Sequence, residues 1–97
     1  MMTKYEIMFI VKATMEEDAI KKTSEDIQKL INIKPSKVIE FKEMGRKKLA
    51  YPIKKEVSGY YFVMTVEATH ETIAEFDRKV SINENVLRHL IIKLEGE

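Results

Sequence analysis

The chain has no cysteine, three glycines, two prolines and two histidines among its 97 residues. The missing thiols exclude a disulfide framework, a thiolate nucleophile and any zinc centre built on cysteine. So few glycines make a glycine-rich phosphate cradle hardly possible. Gly45-Arg46-Lys47-Lys48 lacks both the second glycine and the Lys-Ser/Thr ending of a P-loop. His70 and His89 show no metal-ligand spacing to each other or to a carboxylate, so no metal site is expected and both read as structural or solvated. The acidic residues are spread along helix surfaces, where solvation and i, i+4 pairing account for them. No catalytic residue, no cofactor and no enzymatic activity are expected. No apolar run approaches the length of a membrane span. The first such run, Ile7 to Val11, is too short for a secretory segment and reads as a strand. A cytoplasmic chain, mature as written and without a membrane partner, is the expectation.

What is present suits one globular domain over residues 1–97. Apolar residues make up 44% of the chain and charged residues 34%, with a formal net charge of +1. That near-neutral total hides a segregation. From Lys42 to Lys55 there are six basic residues and one acid, Glu43, so the remainder carries 11 basic against 15 acidic residues. The stretch "GRKKLAYPIKK", Gly45 to Lys55, places these cations around a short apolar run, Leu49-Ala50-Tyr51, and a proline. One reading is a lysine-rich sheet edge that resists aggregation. The other is phosphate recognition, with Arg46 as a planar fork and the lysines as point charges.

Hydrophobic periodicity gives the element order. Tyr5, Ile7, Phe9 and Val11 alternate with Glu6, Met8, Ile10 and Lys12, a strand with one apolar face. Thr14-x-x-Glu17 has the form of a capping box, and a helix is predicted from about Met15 to Ile33, stopped by Pro35. A second strand is predicted from Lys37 towards Ile53, bent or bulged at Gly45 and kept to an edge by Pro52. Ser58-Gly59 reads as the turn into a third strand, Tyr60 to Ala68. Thr69 caps a second helix carrying Ile73, Phe76 and Val80, ended by Asn83 and Asn85, and Val86 to Leu94 forms the last strand. The order βαββαβ defines an α+β, ferredoxin-like fold: a four-stranded antiparallel sheet with two helices on one face.

That fold leaves one sheet face without helices. Alternation assigns it Met8, Ile10, Val63, Thr65, Leu90 and Ile92, a largely apolar set that suits a protein partner through Met8, Ile10, Val63, Leu90 and Ile92. "SGYYFVMT", Ser58 to Thr65, resembles the first RNP motif of RNA-recognition modules, whose aromatics stack on bases from the open face. Here Tyr60 and Phe62 share the apolar face with Met64 and Val66. Turning them outward would bury Tyr61, Thr65 and Glu67. A single-stranded RNA binder of that type is the alternative reading, beside a dimeric small-molecule regulatory domain of the same architecture. An acylphosphatase-like enzyme needs a glycine-rich loop after the first strand, which Lys12-Ala13-Thr14 does not supply.

"MGRKKLAYPIKK" resembles the Trp-Gly-x-Arg-x-Leu-Ala-Tyr-Pro-Ile segment of the bacterial small-subunit ribosomal protein six family. "YEIMFIV", Tyr5 to Val11, and "ENVLRHLIIK", Glu84 to Lys93, are similar to that family's first and last strands. Met44 stands where the family often has an aromatic, and Lys47 where arginine is usual. The resemblance implies a structural component of the small ribosomal subunit. It would bind small-subunit ribosomal RNA together with ribosomal protein eighteen, and be a monomer when isolated. The basic residues Lys42, Arg46, Lys47, Lys48, Lys54 and Lys55 would meet RNA, extended by Arg88 and Lys4. The apolar open face would meet the protein partner.

Overall fold

The computed structural model describes residues 2–53 and 55–96. Its elements are β1 (Thr3–Lys12), α1 (Glu17–Ile31), β2 (Lys37–Ile53), β3 (Glu56–Ala68), α2 (His70–Ser81) and β4 (Val86–Gly96). The strands form one antiparallel sheet in the order β2-β3-β1-β4. This is the expected ferredoxin-like arrangement, with β2 on an edge where Pro52 has no ladder bond to lose.

Directly opposed residues share a face, so the register sorts the side chains. Ile7 lies opposite Met64 and Ile91, and Phe9 opposite Phe62 and His89. Beneath both helices Phe9 and Phe62 stack at 5.1 Å, joined by Tyr5, Val11, Val66, Ile20, Ile27, Phe76 and Val80. Leu30, Ile73 and Ile91 pack against this core while keeping part of their surface exposed. The RNP-like stacking platform is therefore absent, because Phe62 is 2% exposed and sits under the helices.

Thr23 and Ser24 are buried on α1 without an unmet bond. Thr23 Oγ1 donates to the Ala19 carbonyl at 2.8 Å, and Ser24 Oγ to that of Lys21 at 2.8 Å. His89 faces the helices and pairs through Nε2 with Asp77 Oδ1 at 2.6 Å, tying β4 to α2. Thr69 caps α2 as expected, its side chain accepting from Thr72 N at 3.2 Å. The Ser36 hydroxyl accepts from Thr69 N at 3.1 Å and links that cap to the α1–β2 connection.

Two local expectations are corrected. Thr14 does not cap α1; the cap position is Glu16, which makes no side-chain cap bond, and the helix begins at Glu17. The Thr14 hydroxyl instead donates to Glu56 Oε1 at 3.2 Å, a tertiary contact that outcompetes the local box. Ser58-Gly59 is not a turn but lies inside β3, where Lys47 opposes Gly59 and Lys48 opposes Ser58. The chain reverses earlier, between Ile53 and Glu56, with Lys55 at φ 69°.

Candidate nucleic-acid and protein interface

The long β2–β3 hairpin carries the basic stretch, and a bulge decides where its side chains point. Register slips between Glu43 and Gly45, where Gly45 adopts φ 90°. Glu43 opposes Phe62 on the helix side, yet two residues later Gly45 opposes Tyr61 on the other side. The extra residue inverts the alternation as far as Lys48, and the register shifts again before Ile53. Arg46, opposite Tyr60, turns to the helix side, and its Nη2 donates to the Ala13 carbonyl at 3.2 Å. Lys47 and Leu49 turn to the open sheet face.

Leu49 uses that inversion. It packs on Ile10 and Leu87, with Ile53 and Tyr61 beside them, as a second small core on the face without helices. Gly59 makes the packing possible: a Cβ there would stand 2.3 Å from Ile10 Cγ2 and 3.6 Å from Leu49 Cδ2 and Leu87 Cδ1. Further along the arm, the Tyr51 hydroxyl accepts from Arg88 Nη1 at 2.6 Å. Lys47 Nζ lies 5.6 Å from the centre of the Tyr61 ring. Leu49, Tyr51 and Ile53 thus clasp the hairpin arm across β1 and β4. The clasp encloses a groove of about 300 Å³, floored by Ile10 and Leu49 and walled by Met8, Leu90, Tyr51, Tyr61 and Arg88.

The predicted basic residues divide accordingly. Arg46, Lys47, Lys48 and Lys55 lie on the arm, all exposed, and Arg88 is brought to it by Tyr51. Lys42 precedes the bulge and forms an exposed ion pair with Glu40 at 3.3 Å. Lys54 lies outside the described residues. Lys4 is not part of the cluster: it stands opposite Glu67, towards the end of β1 away from Lys12 and Gly59.

Of the apolar set, Met8 lies opposite both Val63 and Leu90, making a row across three strands. Leu90 and Ile92 are 48% and 43% exposed, whereas Ile10 is only 4% exposed. Ile10 is a correction, since Leu49 and Leu87 already cover it and leave no surface for a partner. Tyr51 and Tyr61 join the site, though the sequence pattern does not single them out. Alternation placed Tyr61 on the open face, but the Tyr51–Arg88 contact spans 37 positions and has no local signal. Among the described residues there is no cluster of three potential metal ligands, and no helix is long and apolar enough to cross a membrane.

These features define a class: a ferredoxin-like domain with a cationic hairpin arm fastened to its uncovered sheet face. Residues 4–93 match the family described as Ribosomal protein S6, and the chain belongs to that family. It is 40% identical over 92 residues to the small ribosomal subunit protein bS6 of Phytoplasma australiense, covering 95% of this chain and 99% of that protein. It is 43% identical over 94 residues to the bS6 protein of Phytoplasma mali (strain AT), covering 97% and 100%. A crystal structure of 30S ribosomal protein S6 from Thermotoga maritima matches with a TM-score of 0.89. That match covers 97% of this chain and 89% of the other at 24% identity, a likeness of fold.

Proposed function

We propose that the chain is a non-enzymatic structural component of the small ribosomal subunit in the cytoplasm, a monomer in isolation. It binds small-subunit ribosomal RNA with Lys47, Lys48, Lys55 and Arg88, and ribosomal protein eighteen with Met8, Val63, Leu90 and Ile92. The observation that carries this reading is the clasp. By seating Leu49 on Ile10 and Leu87 and bonding Tyr51 to Arg88, it holds the cationic arm beside the exposed apolar row. One molecule therefore offers adjoining surfaces for a phosphate backbone and for a protein, as the family relationship leads one to expect. Lysine and arginine side chains position a nucleic-acid backbone without reading its sequence. Arg46 contributes with its remaining donors, since one nitrogen is engaged by Ala13.

The test is association with the RNA–protein eighteen assembly across a salt series. Replacing Lys47, Lys48 and Lys55 together by Ala should lower the log–log salt slope by roughly 2–3, at about 0.7–0.9 per lost phosphate contact. An unchanged affinity and slope would reduce the arm to a solvated edge.

A further inference from the structure

On the helix side the sheet carries a second and larger groove, of about 640 Å³, between α1 and the β2 edge. It arises because α1 does not fully cover β2 and the neighbouring β3. Phe62 is fully enclosed, but Phe41 and Tyr60 keep part of their surface exposed beside it. Their rings form one continuous aromatic wall, with centroids 5.5 Å from Phe41 to Phe62 and 5.1 Å from Tyr60 to Phe62. Around this wall stand Glu17, Asp18, Glu25 and Glu43, against Lys21 in the lining and Arg46 beside Tyr60, the latter held by the Ala13 carbonyl.

We propose that this groove binds an extended, arginine- or lysine-containing peptide segment of another protein. Aromatic faces attract guanidinium and ammonium groups, and the carboxylates along the rim supply the opposite charge. The same rim repels a phosphate backbone, so RNA is the wrong occupant. A wholly apolar segment would strip water from the carboxylates without compensating them. Dimensions fit as well. The lining of α1 runs from Glu17 to Gln28, which at 1.5 Å per residue is about 16 Å. An extended chain rising about 3.3 Å per residue crosses that distance in roughly five residues.

The experiment is a heteronuclear NMR titration of the full chain with a capped peptide of about six residues alternating arginine and glycine. A peptide with glutamine in place of arginine serves as the control. Shifts should map to the Glu17–Gln28 side of α1 and to Phe41 and Tyr60, weaken with salt, and be absent with the glutamine peptide. Glu17→Gln, Asp18→Asn and Glu25→Gln combined should weaken binding about tenfold, as expected for several exposed charge pairs. Phe41→Leu, which keeps an apolar side chain but removes the ring face, should weaken it by about two- to fivefold. Ala at Lys47 and Lys48 should leave peptide binding unchanged, which separates this groove from the RNA reading. Equal binding of the two peptides, or shifts mapping elsewhere, would overturn the proposal. So would self-association abolished by those lysine changes, because the groove would then hold the arm of a second copy.

Discussion

At Gly59 a hydrogen stands where every other residue carries a carbon, and Ile10, Leu49 and Leu87 converge on the space. Ile10 is β-branched and its γ2 methyl cannot swing aside freely. Gly59→Ala should therefore cost about 1–3 kcal/mol, the usual range for overpacking. The loss would appear as a lower denaturant midpoint in equilibrium unfolding. Tyr60 offers a second test at this scale. Its hydroxyl donates to Glu43 Oε1. That bond, then burial and the neighbouring negative charge, raise the phenol's pKa above its ordinary value of 10.0. A raised folded-state pKa means the bond's contribution to stability is complete below pH 10 and is lost as pH climbs through the raised value. Ultraviolet titration should show a displaced phenol ionisation that vanishes in Tyr60→Phe and moves back towards the ordinary value in Glu43→Gln.

Among the elements, the hairpin arm is fastened to the rest of the molecule by the small Leu49 cluster and by the side-chain bonds of Arg46, Tyr51 and Glu56, and should open first. Two apolar clusters lie on opposite faces of the sheet, and only the larger one includes the helices. Leu49→Ala should cost about 2 kcal/mol, the low end for a buried leucine because the small cluster can partly collapse. Hydrogen exchange should accelerate between Arg46 and Ser58 well before it does around Ile7 and Phe62, the signature of local rather than global opening. The strand faces were legible from alternation, since Tyr5 to Val11 and Tyr60 to Val66 each bury one side. Gly45 and Pro52 marked the bulge and the edge for the same local reasons. Tertiary contacts decided the rest. Gly59 looked like a turn but is needed for close approach, and Thr14 looked like a cap but reaches Glu56. Gly45 signals the bulge, but nothing local signals that it swings Leu49 onto Ile10, so alternation alone leaves Ile10 exposed. Nor does sequence spacing reveal that Tyr51 brings Arg88 to the arm.

Over the whole molecule, the net charge of +1 is too small to attract RNA by itself, so position must matter more than total. Screening at physiological salt confines each surface charge to about 8 Å, well inside the molecule's longest extent of 39 Å. Cations on α1 and on the connection after it therefore cannot substitute for those on the arm. Two triple variants separate the ideas because each lowers the net charge by the same three units. Lys47, Lys48 and Lys55 to Ala removes charge from the arm; Lys22, Lys29 and Lys34 to Ala removes it from α1 and the turn after it. All six side chains are exposed, and exposed charges contribute little to stability, so both variants should unfold within about 1 kcal/mol of the parent. Only the arm variant should lose affinity for the RNA–protein eighteen assembly and flatten its salt dependence, by roughly 2–3 in the log–log slope. If the two variants lose affinity equally, the attraction is a property of total charge and the clasped arm has no special part in it.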